Sequence, residues 1–262
     1  MRADLVLSGG GVRFIGLVGA VVALMDAGYA VERVSGVSGG SVVGTILAAA
    51  SQGDQLGPAE VKELALSVPL RSWRDAGPLP VMGPVLGFLR DTGLYRGDVA
   101  HDWIRSELKT LGVTTWGDLA YDGDDLLPER RYKAVVSVAD LTTGQLVRLP
   151  LDYRRVYGLD PDEQPVADAV RASMSVPFFY RPVTLTSAGG RRSTLVDGGV
   201  LSNFPVYTFD RLDGRAPLWP TFGVTVMPEL GEGAAGIEEL VPVLKPLRLF
   251  GQSRLLEDLI GT

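Results

Sequence analysis

Read from its first residue, the chain places apolar positions in short blocks punctuated by glycine. Residues 4–7 are mostly apolar and run into a glycine cluster, and residues 16–27 then make a helix-length apolar segment stopped by Gly28. The order strand, glycine turn, helix repeats at once. Residues 32–37 read as a second short strand, Gly39 and Gly40 follow, and residues 41–50 form a further apolar helix. Two such units in succession predict a mainly parallel sheet covered by helices, an α/β architecture.

Beyond residue 67 the pattern loosens. Residues 68–97 set Pro69, Pro78, Pro80 and Pro84 among Trp73, Leu79, Met82, Leu86 and Phe88, and proline at that density breaks regular structure. Helical spacing returns over 99–111, with Asp98 in the N-cap place and Val99, Trp103, Ile104, Leu108 and Leu111 along one side. Residues 121–129 read as an acidic loop. Residues 133–138 are apolar and β-branched, and 142–144 turn them toward 145–149, which predicts a hairpin. Residues 165–174 read as a helix with proline in its first turn, 194–196 as a short strand ending at Asp197-Gly198-Gly199, and 222–226 as a last strand. Residues 237–260 are helical in parts, interrupted by Pro242 and Pro246. Without an internal repeat, a low-complexity tract or a linker, the expectation is one domain over residues 1–262.

Composition narrows the partners. At 262 residues and 46% hydrophobic content the chain can bury a sizeable core. A formal net charge of -6 and a pI near 4.9 supply no positive field for nucleic acid or an anionic bilayer. Nucleic acid is therefore not an expected partner, and any lipid contact should rest on local apolar surface. The absence of cysteine excludes disulfides, thiolate nucleophiles and thiolate metal sites. Residues 1–8 lack the features of a secretory signal. The longest nearly apolar run, residues 14–25, falls short of the ~20 residues that a spanning helix needs. A soluble cytoplasmic protein is expected, reaching membranes only peripherally.

Three glycine-rich stations carry candidate chemistry. Gly36-Val37-Ser38-Gly39-Gly40 fits G-x-S-x-G between a predicted strand and a predicted helix, the setting in which that pattern exposes a strained serine as a nucleophile elbow. A tight structural turn would use the same residues; the strand-turn-helix context favours the nucleophile. Such a serine needs a base, and the chain has one histidine. His101 lies in the predicted helix over 99–111, beside its apolar stripe, and reads as a surface or boundary residue. A carboxylate is then the better base. Asp197 leads, at a strand end followed by Gly198 and Gly199 that leave it sterically uncovered, although Asp-Gly-Gly is also a common turn. The third station, Ser8-Gly9-Gly10-Gly11-Val12-Arg13, can present backbone N–H groups to an anion, as an oxyanion hole requires. Nucleotide binding there is the lesser reading, because Phe14 stands where a dinucleotide fingerprint wants glycine and no Gly-Lys-Ser/Thr follows. Arg13 either braces this loop, holds an anionic group, or is simply solvated.

Together and in this order, the three stations resemble the bacterial patatin-like phospholipases. Further similar stretches are residues 92–98, 139–144, 170–179 and 196–205, so that the likeness runs from Leu5 to about Val226. The resemblance implies a three-layer fold with a central sheet between helices and a Ser-Asp dyad falling on Ser38 and Asp197. It also implies an oxyanion hole on the amides of Gly9, Gly10 and Gly11, and acyl-ester hydrolysis through an acyl-enzyme without metal or cofactor. Arg13, Gly36, Gly39, Gly40, Gly198 and Gly199 would support the site. Phe14 departs from the family pattern, which places glycine directly after the basic residue of the first loop. Members of this layout continue into a further strand and helix, consistent with a native chain extending past Thr262.

The substrate expected from the resemblance is a phospholipid or another acyl ester, cleaved as by a phospholipase A or lysophospholipase, with transient contact to a membrane surface. The apolar segment over residues 68–89, within the proline-rich stretch 68–97, is a candidate lid or bilayer-facing insertion; an ordinary packed loop is the alternative. A small-ester or thioester hydrolase, or a catalytically silent lipid-binding module, would share the same motifs.

Overall fold

Side-chain alternation in the first strand orients the sheet. In this computed structural model, which describes residues 1–51, 56–75, 93–121, 131–211 and 214–226, β1 (Arg2–Leu7) is buried from Ala3 onward. Leu5 and Leu7 pack into one apolar cluster while Val6 joins Val135 and Phe209 in another. Successive side chains of a strand point to opposite faces, so a run buried on both is the mark of a covered central strand.

Around β1 lies the parallel part of the sheet. β1 pairs in parallel with β2 (Ala30–Val37) and with β9 (Thr221–Val224). β2 pairs in parallel with β4 (Ala134–Asp140). The crossover from β1 to β2 is α1 (Phe14–Asp26), and β2 runs directly into α2 (Gly39–Ala50). These are the two strand-turn-helix units read from the sequence. The antiparallel part lies around β4. Its partner β5 (Gln145–Leu149) completes the expected hairpin, while β8 (Arg192–Asp197) pairs antiparallel with β4 and with β7 (Val183–Thr186). The sheet is therefore mixed, with seven strands in the order β7-β8-β4-β2-β1-β9 and β5 alongside β4.

Three further helices complete the described cover. α3 (Pro58–Ser67) was not evident from the hydrophobic pattern, since only Val61 is buried on it; its local signal is Pro58 at the first turn and Glu60, whose carboxylate accepts the Gly57 N–H at 2.6 Å. α4 (Asp98–Thr110) begins where expected, but Asp98 is not its cap. Gly97 stands there with φ of 79°, and the Asp75 carboxylate accepts the N–H groups of Gly97, Asp98 and Val99 at 2.7, 2.7 and 3.1 Å. A carboxylate from a distant loop thus takes the orphan donors that the local aspartate was expected to serve. The buried face of α4 is Ala100, Ile104 and Leu108, with Trp103 and Leu111 packed at its margin and Val99 exposed. α5 (Val166–Ser173) is buried along almost its whole length and packs against β4.

A short parallel pair, β3 (Gly93–Tyr95) with β6 (Phe178–Tyr180), stands apart from the main sheet. The chain divides into two compact units, Met1–Val226 and Met227–Thr262, and the described residues all belong to the first. The expected interrupted helix over 237–260, most of the acidic loop over 121–129, and the stretch 76–92 of the proposed lid lie outside the described residues.

Candidate active site

The two chemical stations meet through one strand. β4 pairs Ser137 with Val37, the residue before Ser38, and pairs the adjacent Val138 with Asp197. Neighbouring positions on β4 thus deliver the ends of β2 and β8 to its two sides at the same level, although Ser38 and Asp197 are far apart in sequence. The Ser38 side chain stands close enough to the Asp197 carboxylate to favour its charged form. Both residues are buried, at 7% and 5% exposure.

Ser38 has φ of 52° and ψ of -125°, a backbone conformation that a non-glycine residue adopts only under constraint. The constraint is close packing on both sides of the turn. A Cβ on Gly36 would lie 2.3 Å from the Gly40 carbonyl oxygen, and one on Gly40 would lie 2.5 Å from that of Ser8. Glycine at these places lets β2 fold back onto α2 and lets the elbow settle against the end of β1. Gly39 meets the glycine loop in the same way, its missing Cβ falling 2.9 Å from the Gly11 carbonyl oxygen.

Asp197 is fixed from three directions. Its N–H donates to the Ser175 carbonyl at 2.9 Å, its Oδ1 accepts the Gly199 N–H at 2.7 Å, and the Ser38 side chain stands beside the same carboxylate. Burial pushes its carboxyl up from the ordinary value near 3.8, and the nearby Ser38 side chain and the Gly199 N–H pull it back only in part. Gly198 packs against β4, where a Cβ would lie 2.4 Å from the Ser137 carbonyl oxygen.

The glycine loop adjoins Ser38. The ideal Cβ position of Gly9 lies 3.2 Å from Ser38 Cβ and 2.3 Å from Asn203 Oδ1. Gly9 itself donates its N–H to the Asn203 carbonyl at 3.1 Å and accepts from Asn203 Nδ2 at 3.2 Å. Of the three amides expected to face an oxyanion, that of Gly9 is therefore already engaged. Gly10 accepts from the Arg13 N–H at 3.0 Å, Gly11 has φ of 52°, and Arg13 stands exposed at the following turn.

His101 is elsewhere. Its ring is bonded to Asp168 at 2.7 Å and to Arg105 at 3.1 Å, on the wall of a cavity of about 450 Å³ that also includes Arg96, Asp98 and Arg171 but neither Ser38 nor Asp197. Among the described residues, no group of three His, Asp or Glu side chains is placed to hold a metal.

Sequence reasoning assigned no role to Asn203, Ser173 or Ser175. All three fall within stretches that carry the family likeness, but the contacts that tie them to Gly9, Ser38 and Asp197 are remote in sequence, and no local pattern announces them.

A strained serine between a parallel strand and a buried helix, with a carboxylate at the end of the next strand but one, is an arrangement in which a base can act on a hydroxyl. The comparisons name the class more closely: the chain belongs to the patatin-like phospholipase family, whose model matches residues 5–210, a family of lipid hydrolases. The uncharacterized protein YqhO of Bacillus subtilis (strain 168) is 37% identical over 228 residues, covering 87% of this chain and 72% of that one. In fold the chain is similar to VipD from Legionella pneumophila, with a TM-score of 0.51, 18% identity and 92% of this chain covered; it spans 53% of VipD. ExoU, solved with SpcU from the type III secretion system of Pseudomonas aeruginosa, is similar over 67% of this chain and 38% of its own, with 21% identity and a TM-score of 0.45.

Proposed function

We propose that this protein is a lipid acyl hydrolase of the phospholipase A or lysophospholipase type, with Ser38 as nucleophile and Asp197 as general base. The observation that carries the reading is a juxtaposition: Ser38, held at a strained elbow, and Asp197, a buried carboxylate whose pKa is raised, are brought together by adjacent positions of β4. Asp197 takes the serine proton as Oγ attacks the ester carbonyl. Collapse of the tetrahedral adduct expels the alcohol, which takes up that proton, and leaves an acyl-serine. Water then attacks the acyl-serine, again through Asp197, and releases the fatty acid. A raised pKa makes the carboxylate a stronger base. The oxyanion forms beside the glycine loop, where the amides of Gly10 and Gly11 are the proposed donors and Gly9 anchors the loop through Asn203. No metal or cofactor enters this scheme.

Acyl lipids at a membrane surface are the proposed substrates. Leu201 and Val200, which follow the Asp-Gly-Gly turn, and Val176 and Phe178, which follow the Ser175 contact to Asp197, are large apolar residues left exposed, and they support transient contact with lipid. No helix among the described residues is long and apolar enough to cross a membrane.

The test is covalent labelling by a fluorophosphonate, mapped by peptide mass, together with fatty-acid release from phospholipid and lysophospholipid vesicles. Labelling at Ser38 that disappears in Ser38→Ala and falls steeply in Asp197→Asn is the expected result. A folded wild-type protein that neither labels nor releases fatty acid would sink the proposal. Turnover of short soluble esters alone would replace lipid substrates with small ones.

A further inference from the structure

The N–H of the nucleophile has an unusual partner. In the strained elbow, Ser38 donates its backbone N–H at 2.9 Å to the side-chain oxygen of Ser173, which lies at the end of α5 and is wholly buried. That hydroxyl has a single proton, which it donates at 2.8 Å to the carbonyl of Ser137 on β4. Its two bonds are thereby assigned: it accepts from the residue that attacks and donates to the strand position that pairs with Val37.

The same short segment reaches the other half of the dyad. Two residues on, the Ser175 carbonyl accepts the Asp197 N–H at 2.9 Å. The segment is itself anchored by Arg171, which donates to Ser175 Oγ at 2.6 Å and to the carbonyls of Arg96 and Arg181. One turn of chain therefore holds Ser38 by a side chain and Asp197 by its main chain.

Resting on the hydrolase reading above, we infer that Ser173 is a positioning residue for the nucleophile: its hydroxyl locks the peptide between Val37 and Ser38 so that Ser38 Oγ stays aimed at Asp197. The physical reason is the positive φ. A non-glycine residue in this region lies above its relaxed conformation, and nothing in its own geometry favours remaining there. Removing the hydroxyl leaves a buried N–H and a buried carbonyl without their partner. The peptide can recover hydrogen bonding only by rotating, and rotation swings Cβ and Oγ of Ser38 away from the carboxylate. Ser173 does not touch the substrate, so its effect should fall on turnover rather than on binding.

The experiment compares wild type with Ser173→Ala, Ser173→Cys and Ser173→Thr, using a p-nitrophenyl ester for kcat, KM and the pH profile, fluorophosphonate labelling for Ser38 reactivity, and thermal melting for folding. In Ser173→Ala, kcat and the labelling rate should fall about 10- to 100-fold with KM within about twofold of wild type. The acidic limb of the pH profile should move to higher pH, because Asp197 stays buried but loses the lowering influence of Ser38. Ser173→Thr restores a hydroxyl and should recover most of the rate. If Ser173→Ala does not fold, Ser173→Cys, of similar size but with a weakly bonding thiol, should be slower than Ser173→Thr. Wild-type kcat in folded Ser173→Ala, or a loss that folded Ser173→Thr does not repair, overturns the inference while leaving labelling of wild-type Ser38 intact. Failure of wild type to label at Ser38 removes the hydrolase reading, and this inference falls with it.

Discussion

Asn203 and Gly9 are joined twice, by the Gly9 N–H to the Asn203 carbonyl at 3.1 Å and by Asn203 Nδ2 to the Gly9 carbonyl at 3.2 Å. The pair ties the glycine loop to the turn after Asp197, two segments 194 residues apart. Asn203→Ala removes the side-chain half of this clasp and keeps the main-chain half. The expected outcome is a loss of about 1 kcal/mol in stability and a roughly tenfold fall in kcat with little change in KM, read by urea unfolding and ester hydrolysis. Unchanged turnover would show that the loop holds its place without the clasp.

Asp197 makes activity and stability pull in opposite directions. Its pKa is raised in the folded protein, chiefly by burial. The folded state therefore binds a proton more readily than the unfolded chain, and this group's contribution to stability is fully present below the unfolded value near 3.8 and lost as pH rises through the folded value. Asp197→Asn should abolish turnover yet melt above wild type at pH 7, with the difference shrinking as pH falls toward 4. Melting curves across that range decide it; a variant less stable at every pH would contradict the assigned burial cost.

For the same reason, the wild-type rate should fall on the acid side at a pH above the ordinary carboxylate value. The kcat/KM profile for a soluble ester reads this directly. A limb at the unperturbed position would mean that Asp197 titrates as an exposed group.

The elbow predicts contrasting glycine substitutions. Gly40→Ala would drive a Cβ to 2.5 and 2.7 Å from the Ser8 and Leu7 carbonyl oxygens, and should cost about 3 kcal/mol or prevent folding. Gly19→Ala, on an exposed face of α1 with nothing within 4 Å, should stabilise by roughly 0.5–1 kcal/mol through helix propensity. Expression yield and chemical denaturation of the two variants test the packing directly.

His101 separates a dyad from a triad. Its ring is committed to Asp168 and Arg105, so His101→Gln should leave kcat within about twofold of wild type. A loss of a thousandfold or more would require a histidine base and would undo the assignment of Asp197.

Much of this molecule is local and therefore legible in one dimension. Strand, glycine turn and helix follow one another at residues 2–26 and again at 30–50, and the single histidine with no cysteine narrows the possible bases before any fold is known. The elements that escaped reading are those whose reason lies elsewhere in the chain. Asp75 caps α4 from another loop, Asn203 clasps Gly9, and Ser173 holds Ser38. Each is a small polar residue whose local context would suit an ordinary turn or helix end.

The amino-acid sequence by itself determined the pieces: an elbow at Ser38, a glycine loop at Gly9 to Gly11, and an aspartate at a strand end, because each depends on backbone freedom and side-chain chemistry within a few residues. Only the tertiary structure decided that two of them meet. β4 pairs Ser137 with Val37 and Val138 with Asp197. Strand register is a long-range property, fixed by which faces the core can bury, and no local segment of this chain encodes the contact between Ser38 and Asp197.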